Sequence, residues 1–234
     1  GKAFGDIAAA IPARVMRRFA YLQDSREAIL FGVAGLLEGN PADDYQLNLQ
    51  SEWNYLRRLH QLDVSPVTLK FSRMRPAGFP TVHLSQLGAL VHAFPQINDL
   101  MHPDLFGDFL LTTIQATPYW QAHSHFGRPI KHNPRRIGKS FMRIALLNSM
   151  IPVGLAYARA HGRTDLVHRI LAFPGLLQPE NNRKVRKFEA AGLPITNGIQ
   201  SQGLLHLHEE YCTTRRCLSC QIGKSILRPV HAVA

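Results

Sequence analysis

Residues 24–59 read DSREAILFGVAGLLEGNPADDYQLNLQSEWNYLRRL and carry two successive patterns of helical period. Asp24-Ser25-Arg26-Glu27 has the spacing of a capping box, in which Asp24 takes a free helix N–H and Glu27 reaches back to the cap. Residues 28–37 are apolar throughout, and Gly39 suits the position just past a helix end. A helix apolar on most of its faces belongs at the centre of a fold. Asn40-Pro41 then opens a second helix, in which Tyr45, Leu49, Trp53, Leu56 and Leu59 recur at three- and four-residue spacing.

The same period dominates the rest of the chain. A proline-limited loop at 73–81 (RMRPAGFPT) places Pro80 in the first turn of a helix that must stop before Pro95. A short helix is predicted over 106–114. Residues 123–136 (HSHFGRPIKHNPRR) read as the longest and most basic loop. Residues 140–162 form a buried helix pair or a kinked helix, because Pro152 interrupts the hydrogen-bond ladder. Thr164-Asp165 caps a helix ending before Pro174, and further helices are predicted over 181–191, 199–211 and 218–227. No run alternates as a half-buried strand does, and no repeat or low-complexity tract is present. The expectation is an all-α fold: one globular domain over residues 1–234, with about eight to ten helices and a Cys-containing C-terminal helical corner.

With 45% hydrophobic and 18% charged residues in 234, the chain can bury one good core or two small ones. Its longest apolar run is far shorter than the ~18 residues of a membrane span. No basic segment followed by an apolar one opens the chain, so neither a membrane partner nor a secretory leader is expected. Three cysteines make a poor disulfide framework, which fits a reducing, cytoplasmic location. The chain opens on Gly rather than Met, as a piece of a longer protein would.

The net charge of +11 is unevenly spread. Residues 109–164 contain eight Lys or Arg and no acid, and residues 211–234 contain four and none. Outside those stretches acids and bases nearly balance. Concentrated positive charge suits a surface that meets a polyanion, DNA or RNA. The competing reading is that acid-poor segments pack among acids from elsewhere.

All three cysteines fall in His206–Ser225, HLHEEYCTTRRCLSCQIGKS. Cys217 and Cys220 are three apart, and His208 and Cys212 four apart, so His208, Cys212, Cys217 and Cys220 could hold zinc, with His206 a weaker fourth donor. The alternative is three reduced cysteines filling a packed corner. Two Gly-Lys-Ser tripeptides, at 138–140 and 223–225, lack the glycine a phosphate loop needs five positions earlier, where Asn133 and Leu218 stand. His123 and His125, with His132 nearby, read as solvated or phosphate-facing rather than metal-binding. Asp43-Asp44 and Glu209-Glu210 read as helix-end or exposed pairs. Arg73 and Arg75 flank a rigid loop before a helix start, where they would suit a phosphate or carboxylate, or would tie the loop to the fold.

Several stretches together resemble an uncharacterised bacterial family, domain of unknown function twenty-eight fifty-one. They are LFGVAGLL at 30–37, RMRPAGFPTVHLSQL at 73–87, LLNSMIPVGLAYARAHG at 146–162, PENN at 179–182 and SQGLLHLHEEYCTTRRCLSCQIG at 201–223. The resemblance implies that the chain is the C-terminal half of a longer protein, whose N-terminal domain would be both a partner and the seat of any nuclease-like centre. It implies no established chemistry. Phe188 stands where the family pattern suggests Trp, a change of packing rather than of chemistry.

The leading expectation is therefore a module that binds nucleic acid through its phosphates, by Arg128, Lys131, Arg135, Arg136 and Lys139, joined by Arg73 and Arg75, with no catalytic centre in this chain. The alternatives are a protein-interaction domain with a Cys/His zinc clasp, and an enzyme acting on a phosphorylated small molecule at the 73–81 loop. The sequence makes no cofactor certain, and zinc is the one it raises.

Overall fold

The chain enters through α1 (Lys2–Ala9) and α2 (Ala13–Phe19) and then forms α3 (Gln23–Val33), the central helix expected from the sequence, but closed at Ala34 and Gly35 rather than at Gly39. The computed structural model describes residues 2–71, 79–96 and 102–227. Every residue of α3 from Ser25 to Val33 is buried. The capping box is not formed. The helix starts from Leu22 without a side-chain cap, so Glu27 is its fifth residue, beyond reach of the first turn, and turns inward instead.

α4 (Asp44–His60) also starts later than Asn40-Pro41 suggests, because Asp43 is the cap: its Oδ1 accepts the Gln46 N–H at 2.8 Å. Leu49, Trp53 and Leu56 form the buried stripe of α4, whereas Leu59 is exposed. α3 and α4 meet at Gly32 and Trp53. A Cβ on Gly32 would lie 2.1 Å from the Trp53 ring, so only glycine permits this approach.

α5 (Pro80–Ala93) begins on Pro80 and ends before Pro95, as the sequence predicts. Then come α6 (Phe106–Leu111) and α7 (Pro118–Ala122), and, in place of the expected basic loop, a hairpin of β1 (His123–His125) and β2 (Arg128–Pro129) paired antiparallel. Gly127, at φ +65°, makes the turn, and its missing Cβ lets the hairpin close on Ala42. A bridge between Gln115 and Arg136 ties down the chain beyond it.

These elements make the first of two compact units, Gly1–Leu100 with Asp108–Gly138; the second comprises Met101–Gly107 and Lys139–Ala234, so the boundary falls within α6. The core of the first unit surrounds α3, with Phe31 stacked on Trp120 at a centroid distance of 4.9 Å. Burying each such side chain contributes about 1.5–3 kcal/mol.

The second unit runs through α8 (Lys139–Ala145) and α9 (Ile151–Ala160), joined by a π turn, Leu146–Met150. The Ile151 N–H bonds back five residues to the Leu146 carbonyl, so the ladder changes register just before Pro152, which has no N–H to give. Of the two readings the sequence allows, the run is one continuous helix rather than a separated pair, with its irregular turn at Leu146–Met150. By length and composition alone the 22-residue stretch Lys139–Ala160 could cross a membrane; Leu146, Leu147, Met150, Ile151 and Ala158 are buried, whereas Phe141, Ile144, Val153 and Tyr157 are exposed. α10 (Thr164–Ala172), α11 (Arg183–Ala190), α12 (Gly198–Leu207) and α13 (Gln221–Leu227) complete the unit. Asn182 and Asn197 cap α11 and α12. The all-α class holds, with strand confined to the hairpin among the described residues.

Candidate functional site

The centre of the first unit is polar. Glu27, 0% exposed, accepts hydrogen bonds at Oε1 from Ser85 Oγ at 2.9 Å and Thr117 Oγ1 at 2.8 Å, and at Oε2 from the Tyr45 hydroxyl. The Thr117 N–H donates to Ser85 Oγ at 2.9 Å, closing the ring of donors. Burial pushes the Glu27 carboxyl above the ordinary range, against the pull of the Tyr45, Thr117 and Ser85 hydroxyls and the charge of Arg26. The Tyr45 phenol is raised well above its ordinary value by burial and by Glu27. Arg26, almost fully buried, donates to the Ala20 carbonyl, and burial lowers its pKa.

A second tier lies above the first. The Tyr45 ring stacks on Tyr119 at 3.9 Å, and Tyr119 stacks on His123 at 3.9 Å. The Tyr119 hydroxyl donates to Asp43 Oδ2, which also receives the Gly127 N–H at 2.8 Å. Burial alone would raise Asp43, but Tyr119, the Gln46 and Gly127 N–H groups and nearby His123 hold it below the ordinary carboxylate value. Asp43 therefore caps a helix with one oxygen and holds the hairpin turn with the other.

The hairpin forms one wall of a cleft of about 510 Å³ lined by Gln46, Phe71, Thr81, His125, Phe126 and Arg128. Thr81 Oγ1 donates to the Ser124 carbonyl at 2.7 Å, fastening β1 to the start of α5. A register irregularity between His123 and His125 gives the two rings different neighbours. His123 stacks on Tyr119, whereas His125 packs against Phe71 and Phe79 at 4.9 and 5.5 Å. Burial and then the Arg128 charge lower the His125 pKa, favouring a neutral ring.

Of the cations singled out in the sequence, Arg128, Lys131, Arg135 and Arg136 belong to the first unit, on β2 and the segment after it. Arg128, Lys131 and Arg136 are exposed. Arg136 reaches Gln115 Oε1 at 3.3 Å, and none of the four forms an ion pair with a described acid. Arg135 is half-buried, with its carbonyl held by Gln86 Nε2 at 2.7 Å. Lys139 opens α8 in the second unit. Arg73 and Arg75 lie outside the described residues.

At the C-terminal corner Cys220 is buried while Cys212 and Cys217 are exposed. Among the described residues no three His, Cys, Asp or Glu side chains converge as a metal would require, His208 with the cysteines included. A Cβ on Gly223 would lie 2.2 Å from the Cys217 carbonyl oxygen, which gives the second Gly-Lys-Ser a packing role. His208 meets the Phe188 ring edge-on, and Lys184 pairs with Glu209.

Sequence reasoning missed Glu27, Ser85, Thr117 and Tyr119. The signal for Glu27 was present: a carboxyl inside a helix enclosed on all sides must be buried, and a buried carboxyl must find donors.

The fold and its best-built site define a helical protein with a buried carboxyl–hydroxyl network supporting a basic, aromatic cleft. The chain belongs to the family described as "Protein of unknown function (DUF2851)", which matches residues 1–183. That span includes the cleft and the Glu27 network. It is the N-terminal and central part of the chain, so it lends nothing to the expectation of a C-terminal half, and the resemblance read over 201–223 lies beyond it. No curated protein and no solved structure matches the chain.

Proposed function

We propose that this chain binds single-stranded nucleic acid, seating a base in the cleft beside Phe71 and His125 and holding phosphates with Arg128 and the cations that follow it. One observation carries the reading: an aromatic ring 37% exposed, Phe71, lines the same cleft as Arg128, and Arg128, Lys131, Arg135 and Arg136 form no ion pair with a described acid. Single-strand binders combine such an aromatic platform with a basic track. Stacking supplies about 1–3 kcal/mol per base, and each neutralised phosphate releases counterions. A duplex hides its base faces and would gain only the second term.

Fluorescence polarisation with labelled single-stranded and duplex oligonucleotides over a salt series tests the proposal. Single strands bind more tightly, and log affinity falls with log salt. Arg128→Gln lowers the slope by about 0.7, one phosphate's share on a single strand. Phe71→Ala costs about 1–3 kcal/mol on single strands and leaves duplex binding unchanged. Absence of binding at low salt, or a Phe71→Ala variant that behaves as wild type, refutes it.

A further inference from the structure

The second unit holds a polar cleft of about 580 Å³ between α8, the residues before α11, and α11 itself. Ser140 and Arg143 line it from α8, Glu180 from the connecting segment, and Arg186 and Glu189 from α11. Its size is that of a small-molecule site.

Glu180 is the anchor. It is 8% exposed, and its carboxyl is held by neutral amides: Oε1 accepts from Asn148 Nδ2 at 3.0 Å and Gln202 Nε2 at 2.5 Å, and Oε2 from Asn182 Nδ2 at 3.2 Å. The amides are themselves fixed. Asn182 Oδ1 receives the Lys184 and Val185 N–H groups, which leaves its NH2 facing Glu180, and Asn148 Nδ2 also donates to the Ile144 carbonyl. Neutral donors orient a carboxylate without cancelling its charge, as an arginine partner would. The negative potential of Glu180 is therefore left facing the cleft.

The same cleft carries the opposite sign. Arg143 is half-buried and Arg186 exposed, yet neither forms an ion pair with Glu180, with Glu189 or with any other described acid. Opposite charges share one wall and remain too far apart to satisfy each other. A ligand carrying both charges would bridge them. An ordinary packing role explains Asn182 as the α11 cap, but not two guanidinium groups with no ion-pair partner among the described residues beside a pre-oriented buried carboxylate.

We propose that this cleft binds a small zwitterion of the free α-amino acid class, its ammonium on Glu180 and its carboxylate on Arg143 and Arg186. Titration calorimetry on the full chain tests this with the common amino acids, the matching carboxylic acids without the amine, and the matching amines without the acid. At least one amino acid binds, and its two half-molecules bind about tenfold or more weakly, as loss of one charge-assisted hydrogen bond requires. Arg186→Gln, at an exposed position that does not threaten folding, weakens the amino acid about tenfold and leaves the amines unchanged. Glu180→Gln weakens the amino acid while leaving the carboxylic acids unchanged. If no amino acid binds at millimolar concentration, or if the amine-free acids bind as well as the amino acids, the assignment is overturned.

Discussion

Replacing Gly32 by Ala tests the packing on which the first unit is built. In an exposed helix the change would stabilise by about 1 kcal/mol, since Ala is the better helix former. Here the new methyl would stand 2.1, 2.4 and 2.5 Å from three atoms of the Trp53 ring. Carbon atoms in contact keep about 3.5–4.0 Å, so the helices must part by more than ~1 Å or the indole must leave its place. Trp53 is 2% exposed and has nowhere to go. Overpacking of this kind costs about 1–3 kcal/mol or more, and the severity of the contact argues for the upper end. The net expectation is a loss of about 2 kcal/mol, the clash outweighing the propensity gain. Both tryptophans of the chain, Trp53 and Trp120, lie in the first unit, so a urea titration followed by tryptophan fluorescence reports that unit alone. With a urea slope of about 1–3 kcal/mol per molar, the midpoint falls by roughly 1 M. Adding Trp53→Ala to the glycine change should cost less than the two single changes summed, because the methyl then has room. A Gly32→Ala protein as stable as the parent would refute the close approach of α3 and α4.

Three further outcomes follow from the interior. Tyr45→Phe keeps the stacked ring but strips Glu27 Oε2 of its described donor, and should cost about 1.5–3 kcal/mol in the same fluorescence transition; a neutral change would show that the hydroxyl is not bound there. Glu27 has a raised pKa in the folded state, so its contribution is full below the ordinary value near 4.5 and is lost as pH rises through the folded value. Urea midpoints measured upward from that pH should therefore fall in the parent and stay flatter in Glu27→Gln, and identical pH profiles would reject the buried carboxyl. Gly223→Ala pushes a methyl against the Cys217 carbonyl and should make buried Cys220 react faster with a thiol reagent, whereas Gly138→Ala, with open space around it, should not.

What could be read from the sequence was whatever repeats along the chain. The stripe Tyr45, Leu49, Trp53, Leu56, the Pro80 start of α5 and the stop before Pro95 all follow from local period and proline geometry, and all are present. Residues 123–136 read as loop because a three-residue strand is too short to show alternation, and its partner contains Pro129. The Glu27 network was hidden for a different reason. Its donors stand 18, 58 and 90 residues away along the chain, and no local pattern encodes such a distance. The cleft was half visible, through Arg128 and the histidines; that Phe71 would share it depends on where the chain returns.

The places where local rules fail converge on one feature. Glu27 has capping-box spacing and does not cap; Thr117 occupies the cap position of α7 and gives its hydroxyl to Glu27 rather than to its own helix. Each forgoes a local bond worth about 1 kcal/mol. What the chain gains is direction. The hydrophobic attraction among α3, α4, α5 and α7 has no direction of its own, whereas a carboxyl that must meet three hydroxyls from three other segments adds a directional constraint to the close fit of Gly32 on Trp53. That constraint sets the Tyr45 ring, on which Tyr119 stacks, and through the Tyr119–Asp43–Gly127 bonds it reaches the hairpin that bears His125 and Arg128. Local consistency is usually sacrificed where a site must be held still. The buried carboxyl is thus better understood as the foundation of the cleft than as a reactive group of its own.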